Sequence, residues 1–112
     1  SVVTGELKPD KTVGDLIAAI FPGGSITGAP KIRAMEVIAE IEGQGRGVYC
    51  GSIGYFGFNG QVDLNIAIRT AVFSQGKARF QGGGGITARS EPAAEYEETL
   101  TKISRIMEAF AP

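Results

Sequence analysis

The sequence contains no histidine and no tryptophan, so the side chain that most often transfers protons near neutral pH is missing. Any acid–base chemistry carried out by this chain must therefore rest on glutamate, aspartate, lysine, tyrosine or cysteine. Cys50 is the only cysteine, which excludes an internal disulfide and fits a reducing, cytoplasmic location. Because no histidine is present to activate the thiol, we interpret Cys50 as a small hydrophobic residue and not as a nucleophile.

Long apolar runs and a strong net charge are missing as well. No stretch approaches the roughly 18–20 apolar residues of a transmembrane helix. The net charge is −1, with acids and bases mixed along the chain, so we expect neither a nucleic acid nor a membrane as partner. The composition is that of a globular protein, and 112 residues are enough for one small domain with a core.

The spacing of apolar residues predicts three helices, over about residues 13–21, 30–42 and 92–110. Hydroxyl side chains precede the three helices as capping residues, and a glycine ends the second. These residues are Thr12, Thr27, Ser90 and Gly43. The residues expected to be buried are Leu16, Ile17 and Ile20 in the first helix, Ile32, Met35, Ile38 and Ile41 in the second, and Tyr96, Leu100, Ile103, Met107 and Phe110 in the third.

Between the second and third helices the apolar period changes to two, which predicts strands. They cover about residues 53–58, 62–72 and 77–81. Asn59-Gly60 is a type I′ hairpin signal between the first two strands, and Gln75-Gly76 marks the next turn. The order of elements predicts an α+β fold, in which helices lie over an antiparallel β-sheet.

The last helix carries a group of charged residues on one face. Glu95, Glu98 and Lys102 lie one and two turns apart, beside the apolar stripe. Two carboxylates in this arrangement can coordinate a hard divalent cation such as Mg²⁺. The alternative is a solvated face with a Glu98–Lys102 pair, which would stabilise the helix by a few tenths of a kcal/mol.

Four consecutive glycines precede this helix, and an arginine interrupts the second strand. Gly82–Gly85 can offer several backbone N–H groups to an anion, or they can form a bulge or a tight bend. Arg69 lies among small neighbours in the predicted strand, where a guanidinium can form a bidentate contact with a carboxylate. The alternative for Arg69 is the exposed face of a half-solvated sheet.

Two hydroxyl side chains complete the candidates. Ser25 lies in the loop that enters the second helix and can contact a ligand, although capping alone would also account for it. Tyr49 lies at the start of a strand, where it can donate a hydrogen bond or form part of the core.

Taken in order, four segments resemble the C-terminal blocks of the chorismate-binding enzymes. They are PGGSITGAPKIRAME at 22–36, RGVYCGSIGYFGFNG at 46–60, DLNIAIRT at 63–70 and GGGGITARSEPAAEYEET at 82–99. This family includes anthranilate synthase component I, aminodeoxychorismate synthase component I, and the isochorismate and salicylate synthases. The form GGSITGAPK is more similar to the aminodeoxychorismate branch.

The resemblance assigns a role to each candidate residue. It implies that Glu95 and Glu98 bind Mg²⁺, directly or through water, and that the metal holds one carboxylate of chorismate. Lys102 would support that cluster or bind the same carboxylate, and Arg69 and Tyr49 would bind the second, enolpyruvyl carboxylate. It also implies that the backbone amides of Gly83, Gly84 and Gly85 face the substrate and that Ser25 lines the pocket near the ring. Chorismate is a dianion, and these groups are of the types that bind carboxylates.

The resemblance also implies an activity and its limits. The expected reaction adds ammonia to the ring of chorismate with loss of a hydroxyl group, with a glutamine amidotransferase subunit as partner. Family members are several times longer and carry a lysine motif, further glutamates and a histidine that are not found here. Residues 1–112 are therefore expected to be a C-terminal fragment of a chorismate-binding domain that is inactive alone and prone to self-association. Anthranilate synthase and a non-catalytic module that binds small anions are the alternatives.

Overall fold

The computed structural model describes residues 2–110. In chain order the elements are α1 (Val13–Ile20), α2 (Gly24–Thr27), α3 (Lys31–Glu42), β1 (Ser52–Phe56), β2 (Val62–Ile66), β3 (Ala71–Ser74), β4 (Lys77–Phe80) and α4 (Pro92–Ala109). This arrangement confirms the predicted α+β class. None of the helices in residues 2–110 has the length and hydropathy required to cross a membrane.

Two of the predicted helix ends are confirmed. The Thr12 hydroxyl accepts a hydrogen bond from the Asp15 backbone N–H at 3.2 Å, and the Asp15 carboxylate accepts one from the Thr12 N–H at 2.8 Å. This capping box satisfies two N–H groups that a helix start otherwise leaves without partners. α3 ends at Gly43, whose φ of 62° is the left-handed conformation that favours glycine.

The other two predicted caps are wrong, because each hydroxyl forms hydrogen bonds with other groups. Thr27 belongs to α2, a short helix that the sequence patterns did not predict, and its hydroxyl donates to the Gly23 carbonyl at 3.2 Å. Pro30 is the residue that precedes α3. Ser90 lies one residue before the cap of α4, and its hydroxyl accepts from the Thr87 N–H at 3.0 Å.

The strands form two separate antiparallel hairpins, β1–β2 and β3–β4. The predicted type I′ turn at Asn59-Gly60 is wrong, since only Gly60 has a positive φ and its N–H donates to the Gly57 carbonyl at 3.0 Å. That pattern is a type I turn followed by a left-handed glycine. Both residues of Gln75-Gly76 have positive φ, so the type I′ geometry is found in the second hairpin.

The second predicted strand is shorter than its alternating pattern indicated. β2 ends at Ile66, and the chain then turns, with the Ile68 N–H donating back to the Ile66 carbonyl at 2.9 Å. Arg69 has a φ of 50° and lies in this turn. The prediction that Arg69 lies within a strand is therefore wrong.

Little of the apolar surface is buried. Within residues 2–110, Ala67 is the only fully buried hydrophobic residue, so the expectation of a self-contained core is wrong. Most residues that were expected to be buried remain exposed, among them Leu16, Ile20, Ile32, Met35, Ile41, Tyr96 and Met107. In the part of the chain that the structure describes, each hairpin has only two strands, and most of its apolar side chains are left uncovered by other elements.

Candidate functional site

The glycine segment, Gly82–Gly85, lies along α4. A methyl group at Gly82 would overlap the Ile103 side chain and approach the Thr99 carbonyl to 3.5 Å. Glycine is required here because no larger residue allows the segment to come so close to the helix. This contact brings the backbone of the segment to the charged face of α4.

Three charged side chains of α4 meet at the glycine segment. A methyl group on Gly84 would lie 3.0 Å from Glu95 Oε2 and 3.7 Å from both Glu98 Oε1 and Lys102 Nζ. Lys102 forms an ion pair with Glu98 and donates to the Gly83 carbonyl at 3.4 Å. The i, i+4 pair predicted from the sequence is therefore present, and it lies against the backbone of the glycine segment and not on a face remote from other segments.

A residue that precedes α4 orients the Glu95 side chain. The Ser90 hydroxyl donates a hydrogen bond to Glu95 Oε1, while Glu95 Oε2 faces Gly84. The loop that precedes α4 thus holds one carboxylate oxygen and leaves the other directed at the glycine segment.

Tyr49 reaches the same segment from the turn before β1. Its hydroxyl lies 2.9 Å from the point that a methyl group on Gly83 would occupy. The side chain is partly buried, and this burial raises the pKa of the Tyr49 phenol above its usual value. The phenol therefore stays protonated and can donate a hydrogen bond to an anion.

The sequence patterns did not single out Arg46, which lies against Tyr49. The Arg46 guanidinium carbon is 5.4 Å from the centre of the Tyr49 ring, within the range of a cation–π contact. Its bonds to Glu42 lower the pKa of that carboxyl below its usual value. An arginine three residues before a tyrosine in a glycine-rich turn is a weak signal, and only the fold gives it meaning.

Arg69, Ser25 and Gly85 are not brought into contact with this cluster. Arg69 is exposed and forms no hydrogen bond or ion pair with any residue from 2 to 110. Its turn is tied to the turn of Tyr49, however, because Ala67 exchanges backbone hydrogen bonds with Cys50 and Gly51 at 3.0 and 2.9 Å.

The remaining two candidates lie apart from the cluster. Ser25 is exposed on α2. Gly85 has open space within 4 Å of the position that a side chain would take.

The two carboxylates near Gly84 suit a divalent cation. Glu95 Oε2 and Glu98 Oε1 are hard anionic oxygens that lie near one point, which suits Mg²⁺, an ion commonly held by one or two carboxylates together with water and substrate oxygens. Within residues 2–110, no group of three or more acidic, histidine or cysteine side chains forms a complete cage. The residues therefore fit a metal that other ligands would complete.

The arrangement can bind a carboxylate. Within the part of the chain that the structure describes, the N–H groups of Gly83, Gly84 and Gly85 donate to no other residue. The Tyr49 hydroxyl lies close to Gly83, and the Lys102 ammonium lies close to Gly83 and Gly84. Donors of this kind stabilise an anion best where they are fixed in place before it arrives.

Comparison with known families shows which family this chain resembles. The family described as chorismate binding enzyme matches residues 1–108. Among solved structures, anthranilate synthase component I from Streptococcus pneumoniae TIGR4 superposes with a TM-score of 0.83 at 47% sequence identity. That superposition covers 88% of this chain and 22% of the solved one.

Curated relatives fall into two groups of similar closeness. Aminodeoxychorismate synthase component 1 of Klebsiella aerogenes is 54% identical over 107 residues, covering 96% of this chain and 24% of the relative. Anthranilate synthase component 1 of Pseudomonas putida is 51% identical over 111 residues, covering 99% of this chain and 22% of the relative. The chain thus spans about a quarter of the length of the curated relatives that it matches.

Proposed function

Because this chain belongs to the chorismate-binding enzyme family, we propose that it is the C-terminal, substrate-anchoring part of an aminodeoxychorismate synthase. The observation that carries the proposal is that the Tyr49 hydroxyl and the charged face of α4 meet at the glycine segment. Chorismate carries two carboxylates, and this cluster offers the donors and the cation site that two carboxylates require.

In the proposed reaction, ammonia forms a bond to the ring of chorismate and the ring hydroxyl leaves as water, giving 4-amino-4-deoxychorismate. The residues of this chain bind and orient the substrate. Tyr49 and Arg69 would hold the enolpyruvyl carboxylate, since their two turns are joined through Ala67. The glycine amides would hold the anion close to the backbone, and Ser25 would line the pocket near the ring.

We further propose that Mg²⁺ is the cofactor and that Glu95 and Glu98 hold it, with Lys102 supporting the cluster. When bound, the cation offsets the charge of a substrate carboxylate and lowers the energy of negative charge that develops during the reaction. The two carboxylates near Gly84 support this assignment.

The extensive exposed apolar surface supports a role for these 112 residues inside a larger chorismate-binding domain. The accessible surface is 9266 Å², whereas a compact monomer of this mass exposes about 5,900 Å². We propose that other parts of that domain complete the active site, that a glutamine amidotransferase subunit supplies the ammonia, and that the enzyme is cytoplasmic.

Anthranilate synthase is the second candidate, because its relatives are nearly as similar to this chain as the first group. The segment GGSITGAPK at 23–31 favours the aminodeoxychorismate branch. The two candidates share the substrate and the anchoring residues proposed here, and they differ in the product.

The product identifies the branch. The enzyme that contains this chain is incubated with chorismate, ammonia and Mg²⁺, and mass spectrometry identifies the product. We expect 4-amino-4-deoxychorismate; anthranilate would assign the chain to the second candidate, and the absence of any chorismate turnover would overturn both.

The isolated 112-residue chain serves as the matched control. It is expected to be inactive, because it has no histidine and its described residues leave Arg69 and Ser25 outside the cluster. Turnover by the isolated chain above background would contradict the proposal that other parts of the domain complete the site.

A further inference from the structure

Every nitrogen of the Arg46 guanidinium has a partner within the protein. Nε and Nη2 donate to the two oxygens of Glu42 at 2.9 and 2.6 Å, and Nη1 donates to Cys50 Sγ at 3.4 Å. The plane of the group also faces the Tyr49 ring. Arg46 is therefore not free to bind a substrate, and its side chain is a fixed part of the turn.

The backbone around Tyr49 is fixed at both ends of the same turn. The Tyr49 N–H donates to the Arg46 carbonyl at 3.3 Å, and the Cys50 N–H donates to Ala67 at 3.0 Å. Cys50 has a φ of 66°, a left-handed conformation that residues other than glycine adopt only rarely. These contacts fix the backbone of Tyr49 and leave the direction of its ring to be set by the side chains that touch it.

The ring direction matters because the Tyr49 hydroxyl lies over Gly83. A guanidinium bound to a carboxylate in a fork is held in one plane, so it offers a rigid surface for the ring. Glu42 in turn belongs to the last turn of α3, which ends in the Gly43 cap. The chain of contacts thus runs from α3 through Glu42, Arg46 and Tyr49 to the glycine segment.

We propose that Arg46, held by Glu42, is a positioning residue that places the Tyr49 hydroxyl over Gly83 for binding of a substrate carboxylate. The carboxylate rests on the proposed function, whereas the placement of the hydroxyl rests on the contacts alone. Arg46 acts through Tyr49 and makes no contact of its own with the substrate.

A comparison within the chain separates this role from ordinary stabilisation. Arg33 also bonds two glutamates, Glu36 at 3.0 Å and Glu40 at 3.3 Å, on the exposed face of α3. Its side chain is 61% exposed, against 22% for Arg46, and no aromatic ring within residues 2–110 faces it. Arg33→Met is therefore the matched control for Arg46→Met.

The first measurement is the nuclear Overhauser effect between the Tyr49 ring and the Gly83 α-protons in the enzyme that contains this chain. We expect the signal in the wild type and in Arg33→Met, and its loss in Arg46→Met with the rest of the amide spectrum retained. Absence of the signal in the wild type, or its full retention in Arg46→Met, would overturn the inference.

If the amide spectrum of Arg46→Met loses its dispersion, that variant is unfolded, and Arg46→Lys is used to test the inference in its place. A lysine ammonium cannot form the fork to Glu42 and cover the ring at the same time. We therefore expect the signal to weaken in Arg46→Lys, and an unchanged signal would again overturn the inference.

The second measurement uses the enzyme that contains this chain. We expect Tyr49→Phe and Arg46→Met each to raise the KM for chorismate about tenfold, the loss expected for one hydrogen bond to a charged group. The double variant should be no worse than either single variant, because both changes remove the same contact.

The two measurements distinguish an error in the inference about Arg46 from an error in the proposed function. Additive effects on KM would show that Arg46 does not act through Tyr49 and would overturn the inference. If Tyr49→Phe leaves KM unchanged while the Overhauser effect depends on Arg46, the placement of the ring stands and the proposed role of Tyr49 in the reaction is wrong.

Discussion

Glu98 has two possible partners at the residue scale, the Lys102 ammonium beside it and a cation between it and Glu95. The Glu98 and Lys102 side chains are 53% and 33% exposed, so their ion pair contributes little to stability. What distinguishes Glu98 from other surface glutamates is its position 3.7 Å from the point above Gly84. A loss of activity after substitution of Glu98 would therefore indicate weaker ligand binding and not a loss of folding stability.

Glu98→Gln is expected to raise the Mg²⁺ concentration required for chorismate turnover by about tenfold or more, since an amide oxygen is a weaker ligand for a hard cation than a carboxylate. Glu97→Gln is the matched control, because Glu97 is exposed and points away from the glycine segment around the helix. A magnesium titration of both variants measures the difference. Wild-type magnesium dependence in both would show that the metal assignment is wrong.

At the scale of elements, the contact between the glycine segment and α4 determines whether the site is formed. The Gly82 backbone packs on Ile103, while Phe110 at the end of α4 packs against the rings of Phe73 and Phe80, with centroids 5.8 and 5.9 Å away. α4 is thus held to the rest of the chain at two places. The contact at Gly82 is the one that lies beside the charged cluster.

Gly82→Ala is expected to separate the glycine segment from α4, because the added methyl group would overlap the Ile103 side chain. Overpacking of this kind costs about 1–3 kcal/mol. Hydrogen–deuterium exchange of the α4 amides should accelerate around Ile103. Gly85→Ala is the control, since its methyl group would meet open space, and equal exchange in the two variants would contradict the packing described here.

At the scale of the whole molecule, the chain is expanded. Its radius of gyration is 16.8 Å, compared with about 13 Å for a compact domain of this length. Side chains on both sides of β1, including Ile53, Tyr55 and Phe56, are 49–60% exposed. Neither hairpin has a third strand in the part of the chain that the structure describes, so strand edges are open as well.

The isolated chain is expected to self-associate, because open strand edges and apolar faces favour contacts with another copy. The surface in excess of a compact monomer is larger than the roughly 1,600 Å² of a standard protein interface. Sedimentation velocity over a range of concentrations should show a weight-average mass that rises with concentration. A single compact monomer at high concentration, with a cooperative unfolding transition, would contradict this expectation.

The sequence by itself determined two helix ends, the charged face of α4 and the family. Thr12 with Asp15, and Gly43 after an apolar helix, specify their helix ends through bonds within a few residues, so composition and spacing were enough to predict them. The placement of Glu95, Glu98 and Lys102 on one face follows from helix geometry alone. The family followed from four ordered motifs, each carried by neighbouring residues, and the family comparison confirms it.

The tertiary structure alone decided which distant residues meet. The approach of Tyr49 to Gly83 brings together a turn and a loop that are far apart in the sequence. Arg69 lies in a turn and not in the predicted strand, because Ala67 forms hydrogen bonds with Cys50 and Gly51 and the chain changes direction there. Burial was predicted wrongly for the same reason, since an apolar stripe shows which face can be covered, whereas only the packing of other segments determines whether it is.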